Sequence, residues 1–394
     1  MQPQRIAIIG GGPAGLIAAD VLAPTCEVHV YEQGKSVGRK FLVAGQGGFN
    51  VTNSVDGAEL VATYTPAGFL DAALAEFGST ALRNWLLELG IATYVGTSGR
   101  VFPVKGIKPI DVLNALRARL VERGVHFHLE HTFVGFDASM SVLIEHEGVR
   151  SNIQTDHVLF ALGGASWSVT GSTGTWPELF APLGIGTIPF TASNCGVETT
   201  WPEAFARAHA GKALKNVRVS AGVREAFGEA TITAQGLEGN VIYPVVPALR
   251  DALNSNAPAI LRIDLKPNNT TEQLLDKIAG KEPKNYAAAL NLDRAAFALL
   301  KACTTKERFF SPFALAQDIK DLHVPVTALR PIGEAISTVG GIRTEDLAPD
   351  FSFKRYPDLF ALGEMVDWDA PTGGFLLQGC FAMGHHAAVA ILGR

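Results

Sequence analysis

The chain has 394 residues, a formal net charge of −5 and only 18% charged residues, with a slightly positive mean hydropathy of +0.18. This length predicts two or three domains, and this composition fits a large buried α/β sheet rather than a disordered or strongly solvated chain. No uninterrupted apolar run approaches the roughly 18 residues of a membrane span, and Lys and Arg form no basic stripe with interleaved aromatics; neither membrane nor nucleic acid is expected as a partner, and the expected location is cytoplasmic.

The first recognisable stretch runs from Arg5 to Glu32. Arg5 to Ile9 reads as a buried parallel strand and feeds straight into Gly10-Gly11-Gly12-Pro13-Ala14-Gly15, a G-x-G-x-x-G arrangement. In that arrangement Gly10 permits the tight turn, Gly12 lets backbone approach a pyrophosphate, and Gly15 lets the following helix pack on the strand. Ala14 to Leu22 is the expected helix, whose N-terminal N–H groups and dipole suit a diphosphate. Glu27 to Tyr31 is the second strand, and Glu32 at its end is placed to accept ribose hydroxyls. Together these predict an adenine dinucleotide, FAD or NAD. Three glycines and a proline within the apolar stretch argue against a signal peptide.

Residues 34–53 form a Gly-rich, polar connection too long for an ordinary βα turn, and such loops carry function. Its Arg39 and Lys40 place two cations just past the ribose position, while Gln46, Asn50, Thr52 and Asn53 supply polar groups where the far half of a long cofactor would lie. Ala67 to Leu89 is expected as one core helix ending at Gly90, followed by a short strand from Ala92 to Val95 and the sequence GRVFP. Pro109 opens a helix to Arg123 that Gly124 closes. Val125 to Leu129 reads as the third parallel strand, Phe133 to Phe136 and Ser141 to Glu145 as a small antiparallel excursion, and Asp156 to Leu162 as a buried strand ending in Gly163-Gly164. A strand stopping in Gly-Gly allows close approach of a ligand at the carboxyl edge.

The βαβ rhythm stops near Pro189. Residues 190–330 read as an inserted domain, strand-rich over 190–266 (Val217 to Val223, Ala230 to Thr233, Ile260 to Leu265) and helical over 267–330, with a helical stretch from Thr271 to Leu300. Pro331 to Gly341 brings the chain back to the first pattern, and the fold class is α/β, Rossmann-like with an insert. In the last segment Asp358 to Leu362 is a strand ending in Gly363-Glu364, with Asp367 three residues on. Pro371-Thr372-Gly373-Gly374-Phe375 then opens an apolar helix to the C-terminus. A carboxylate at a strand end can accept from polyol hydroxyls, and a helix N-terminus can stabilise negative charge at the N1 and C2=O edge of a reduced flavin. NAD needs neither, so the cofactor reading becomes FAD. Cys26, Cys195, Cys303 and Cys380 lie far apart with no C-x-x-C, which argues against a zinc site, a disulfide framework or a flavin disulfide reductase.

These motifs (GGGPAGLIAA, GRKFLVAGQGGFNVTN, GRVFP, ALGGAS followed by TGSTG, TVGGI, and FALGEMVDWDAPTGGFLLQGCFAMGHHAA) occur in an order that resembles the BaiN-like NAD(P)/FAD-dependent oxidoreductases of bacteria. The family loop more usually reads GRKLLxSGxGRCNxTN; here Gly48 and Phe49 replace its Arg-Cys pair, and Gly236-Leu237-Glu238-Gly239-Asn240 departs from the family's Gly-Leu-Ser-Gly-Pro, which points to a divergent subgroup. The resemblance implies an FAD-binding domain split between residues 1–189 and 331–394 around the insert, with Gly10, Gly12, Pro13, Ala14 and Gly15 lining the diphosphate, Glu32 at the adenosine ribose, Gln33 beside it in the cofactor-binding set, and Arg39 and Lys40 flanking that site. It further places Gly45, Asn50, Val51, Thr52 and Asn53 on the flavin side, Phe133, Val134, Ala161, Gly163 and Gly164 along the strand edge, Gly363, Glu364 and Asp367 at the ribityl chain, and Gly373, Gly374, Phe375 and Leu376 at the isoalloxazine edge.

The expected activity is an FAD-dependent oxidoreductase exchanging hydride between flavin N5 and a small organic substrate where the FAD domain meets the insert, with NAD(P)H as a transient reductant. Alternatives are an oxidase passing electrons from an amine or similar small molecule to O2, a non-catalytic flavin-binding protein, and an NAD-only dehydrogenase. The sequence names no catalytic acid, base or metal ligand; His385 and His386 read as structural, and Phe49, Trp368 and Tyr243 as packing residues.

Overall fold

The computed structural model describes residues 3–43 and 48–394. The chain divides into two compact units, residues 1–191 with 337–394, and residues 192–336. Each has its own hydrophobic core.

The first unit is built on a six-stranded sheet in the order Ser352–Phe353, Tyr356–Ala361, His157–Phe160, Arg5–Ile9, Glu27–Glu32, His126–Leu129. The last five run parallel, and only the Ser352–Phe353 edge is antiparallel. Ile6, Ile8, Val30, Leu159 and Phe360 are all essentially inaccessible, as expected where helices or loops cover both faces of a parallel sheet. Two small antiparallel sheets flank it: Thr132–Phe136, Val142–His146 and Val149–Asn152 in one, Thr52–Asn53, Arg100–Pro103 and Thr93–Val95 in the other.

Two apolar helices, Pro13–Leu22 and Phe375–Leu392, cross in close contact. A Cβ on Gly384 would lie 2.1 Å from the Ala14 carbonyl oxygen, so glycine is what lets the backbones meet. The C-terminal helix is 18 residues long and apolar enough to cross a membrane by length and composition, but 56% of it is buried inside the fold; Gln378, His385 and His386 interrupt its apolar run, so no continuous span is expected from the sequence. Those histidines face Glu76: His386 Nδ1 is 2.6 Å from Oε2, and His385 Nδ1 lies 3.1 Å from Oε1 but off the hydrogen-bonding direction. Asp20, on the first helix and 3% exposed, accepts from Trp85 Nε1 (2.8 Å), Arg119 (3.1 Å) and Arg123 (2.9 Å), which ties that helix to its neighbours.

The expected helix over Ala67–Leu89 is two helices, Asp71–Glu76 and Ser79–Glu88. They are separated by Gly78, which is extended (φ −80°, ψ −168°). A Cβ there would stand 2.5 Å from Asp56 Oδ1, and Asp56 meanwhile accepts from the Thr80 hydroxyl at 2.8 Å. Hydrophobic spacing ran through the break because both halves bury the same core.

In the second unit seven short strands form one antiparallel sheet, in the order Leu322–Pro325, Ile260–Asp264, Ala213–Ala221, Arg224–Ile232, Gly236–Glu238, Val197–Glu198, Ala328–Leu329. Val223, expected inside a strand, is the fully exposed tip of a hairpin whose turn is made by Gly222 at φ 55°. The expected helix over Thr271–Leu300 is broken into Thr271–Ile278, Tyr286–Ala289 and Arg294–Cys303, and two further helices follow, Lys306–Phe310 and Pro312–Lys320. Gly280 with positive φ and Asp293, which caps Ala296 N at 2.8 Å, end and restart the chain.

Candidate functional site

The parallel register brings four strand ends to one edge. Ile9 pairs with Tyr31 on one side and Phe160 on the other, and Phe160 pairs with Ala361. Gly10, Glu32, Ala161 and Leu362 therefore follow at the same level, and they line a cavity of about 1140 Å³ including its open mouth.

Gly10 stands at φ 110°, and a Cβ on it would lie 2.3 Å from the Ala161 carbonyl oxygen. A Cβ on Gly12 would meet nothing within 4 Å. Gly12 is also the N-cap of the Pro13–Leu22 helix, and no side chain caps that end. The first-turn N–H groups thus lack a side-chain acceptor and begin at open space, the cradle a phosphate requires. Gly15 is not on the wall: its missing Cβ would sit 2.3 Å from Gly10 O, so it serves close helix packing.

Glu32 accepts from Gly11 N through Oε2 (2.9 Å) and from Gly34 N through Oε1 (2.7 Å). Its carboxylate is fixed by two backbone donors and keeps lone pairs for a ligand hydroxyl. Lys40 Nζ donates to Glu364 Oε2 (2.6 Å) and Ser166 Oγ (2.8 Å), and Thr338 N donates to Glu364 Oε1 (2.9 Å). Gly164 lies behind this group, where a Cβ would come 2.1 Å from Thr338 Oγ1. Asp367 accepts from Gly340 N at 2.8 Å and is not on the wall.

The far wall is the segment 165–176, kinked by Trp167 (φ 60°), Gly171 (98°) and Gly174 (64°). Gln33 Nε2 donates to Gly171 O (2.7 Å) and Arg39 Nη2 to Val169 O (2.8 Å), so both side chains cross to this segment. Ser172 Oγ donates to Gly164 O and Trp176 Nε1 to Gly163 O, which ties the segment back to the strand end. Cys380 lies on the wall as well. Burial, and then the charge of Glu364, push its thiol up to about 12, so it stays protonated.

Of the residues expected from sequence, Gly10, Gly12, Pro13, Ala14, Glu32, Gln33, Arg39, Lys40, Phe133, Ala161, Gly163, Gly363 and Glu364 share this cavity. Val134 does not line it, and Gly45 lies outside the described residues. The flavin-side set gathers elsewhere, around the start of the C-terminal helix. Gly374, at φ 100°, is wedged so that a Cβ would lie 2.4 Å from the Thr52 backbone. Thr52 is buried and donates to Gln378 Oε1 at 2.7 Å, Tyr64 donates to Phe375 O at 2.7 Å, and Asn53 O accepts from Ser79. Val51 is buried, Asn50 and Leu376 are half-buried, and the Gly373 backbone faces Arg100 and Asn53. Thr52, read as a cofactor donor, spends its hydroxyl on Gln378, whereas Asn53 accepts through its carbonyl from Ser79 and through Oδ1 from Val55 N. The sequence reading missed the 165–176 wall and Cys380; the signal available was the Thr170-Gly171-Ser172-Thr173-Gly174 run following a strand that stops in Gly-Gly.

Two relatives match along nearly their whole length. A 3-dehydro-bile acid delta(4,6)-reductase of Clostridium scindens is 25% identical over 99% of both chains, and a ribosomal RNA dihydrouridine synthase of Haemophilus influenzae is 24% identical over 98% of this chain and 97% of its own. Among solved structures, a 3-ketosteroid delta1-dehydrogenase from Sterolibacterium denitrificans superposes with TM-score 0.53 at 13% identity, covering 100% of both chains. A 3-ketosteroid-delta4-(5alpha)-dehydrogenase from Rhodococcus jostii RHA1 gives 0.50 at 13%, over 99% of this chain and 97% of its own. At that identity the two structures speak to fold alone. Fold, cavity and relatives define the class: an FAD-dependent oxidoreductase on a Rossmann-type domain. Residues 4–390 match the HI0933-like protein Rossmann domain, and the chain belongs to that family, in agreement with the resemblance its motifs carry.

Proposed function

We propose that this enzyme saturates a carbon–carbon double bond conjugated to a carbonyl group, with NAD(P)H as the reductant. The observation that carries the reading is the chemistry shared by the names of two full-length relatives. In a 3-oxo steroid with 4,6 unsaturation, and at C5=C6 of a uracil ring, the double bond is polarised by a carbonyl and accepts hydride at its far carbon. The substrate expected here is a small conjugated ketone.

FAD, when bound, supplies the hydride chemistry. The chain's own part is to hold and orient it. The bare first turn at Gly12, Pro13 and Ala14 suits the diphosphate, and Glu32, pinned by Gly11 and Gly34, suits the ribose hydroxyls. Gly163, Gly363 and the Lys40–Glu364 pair line the middle of the cavity, where a polyol chain would run. Gly373 to Leu376, beside Asn50 to Asn53, would receive the ring.

The test is anaerobic. Purified protein should be yellow, lose its colour on mixing with NADH or NADPH, and regain it on addition of a conjugated enone, with the saturated ketone as product. Recolouring by O2 but by no member of a panel of enones and uridine-containing RNA would refute the reading in favour of an oxidase. Recolouring by the RNA alone would retain the chemistry and replace the small substrate.

A further inference from the structure

Five arginines are half-buried. Arg83 donates to Thr93 Oγ1, Arg119 pairs with Asp20, Arg250 donates to Ala192 O, and Arg330 pairs with Glu198. Arg100 differs. Its guanidinium has no hydrogen bond, ion pair or ring contact among the described residues. A half-buried guanidinium has lost part of its hydration and gains nothing back until an acceptor arrives.

Its position is fixed by rigid neighbours. Arg100 begins the Arg100–Pro103 strand and pairs across to Asn53. Gly373, at φ 112°, faces its head: a Cβ there would lie 3.6 Å from Arg100 Nε and 3.9 Å from Asn53 Nδ2. The Phe375 ring, 3.7 Å from the same Cβ position, completes this group, so two nitrogen donors and one aromatic edge meet at the Gly373 backbone. The helix that starts at Phe375 has no acidic residue in its first turn, so its N-terminus is not neutralised from within the helix.

We infer that Arg100 sets the reduction potential of the flavin by donating to the N1–C2=O edge of the ring, where negative charge gathers when the ring takes up two electrons. The inference rests on the cofactor placement proposed above, with the ring at Gly373 to Leu376. Arginine suits the role because it stays charged at every working pH and presents a planar fork to adjacent acceptors, and charge near N1 is one of the protein's means of tuning flavin electronics.

The experiment compares wild type, Arg100→Gln and Arg100→Lys by flavin content, far-UV circular dichroism and anaerobic redox titration against reference dyes. The Gln variant should fold and carry FAD, since no described residue depends on the guanidinium. Its preference for reduced over oxidised FAD should drop at least tenfold, a fall of about 30 mV for a two-electron couple. The Lys variant should recover most of that difference. An unchanged potential in a folded, fully loaded Gln variant overturns the inference, and so does equal loss in Gln and Lys. A folded Gln variant that no longer holds oxidised FAD also overturns it, because Arg100 would then be a binding residue. Wild-type protein that binds no FAD overturns the cofactor placement itself, and this inference with it.

Discussion

Gly10 and Gly12 are two positions apart and constrain the molecule in different ways. Gly10 is a requirement of the fold: its φ of 110° and the 2.3 Å approach to Ala161 O leave no room for any side chain. Gly10→Ala should therefore cost about 1–3 kcal/mol from backbone strain alone, and more from the contact, seen as a lower melting temperature of the cofactor-free protein. Gly12 has ordinary extended backbone (φ −85°, ψ 179°) and nothing within 4 Å of a Cβ. Gly12→Val should leave that melting temperature unchanged and weaken FAD binding on the order of a hundredfold, equivalent to losing one or two charge-assisted hydrogen bonds. A Gly12→Val protein that purifies with a full complement of FAD would show that the diphosphate lies elsewhere. The motif gives the two glycines different tasks, a tight turn at Gly10 and backbone approach at Gly12; the neighbouring strand, about 150 residues later in the chain, adds the Ala161 contact that makes the first a requirement of packing as well.

At the scale of elements, the 165–176 segment is held across the cavity by Gln33 and Arg39. These two bonds anchor the segment to the residues that follow the second strand. Gln33→Ala should raise the FAD dissociation rate roughly fivefold, about 1 kcal/mol for a neutral hydrogen bond, and Arg39→Ala by more because its donor is charged; release into an excess of an apoprotein that binds FAD tightly, followed by flavin fluorescence, reads both rates. Equal rates in wild type and the double variant would mean the segment does not gate release. On the other side of the second strand, His29 and His128 share a ring-nitrogen contact of 2.9 Å, and His128 also stacks on Tyr31, a residue of the cavity wall. Burial, and then the charges of His29, His131 and His126, pull His128 down from 6.5 to about 4. A histidine depressed in the folded state binds more protons when unfolded, so its contribution to stability is present above pH 6.5 and is lost as pH falls toward 4. The melting temperature should fall over that window, and His128→Phe, which keeps the stack, should flatten the fall. Strands with strong patterning were legible in the sequence because burial on both faces of a parallel sheet leaves an unmistakable apolar run, as in Arg5–Ile9 and His157–Phe160. The breaks at Gly78 and within 278–294 were not, because hydrophobic spacing reports which face is buried and continues across an interruption when both halves cover one core. For the same reason the walls of the cavity that come from strand ends were found, and the wall that comes from an irregular Ser/Thr/Gly segment was not.

On the scale of the whole molecule, the cavity, its clasp and the C-terminal helix all belong to the unit formed by residues 1–191 and 337–394, and the second unit has a separate core centred on residues such as Leu214, Ile263 and Leu299. In the sequence a βαβ rhythm gives way to short strands near Pro189, while the first unit's long segment ends at Thr191 and the chain re-enters it at Ser337. A ligand that binds the folded state of one unit stabilises that unit by mass action, and hydrogen exchange resolves where the gain falls. Loading the apo-protein with FAD should slow exchange most in the first helix turn after Gly12, at Gly11 and Gly34, whose amides hold Glu32, and through 165–176. Amides in the Ala213–Ala221 strand and the Pro312–Lys320 helix, buried in the other core, should keep their apo rates. Slowing confined to those two elements, with none around Gly12, would place the dinucleotide in the wrong unit and refute the cofactor placement on which the rest of the chemistry depends.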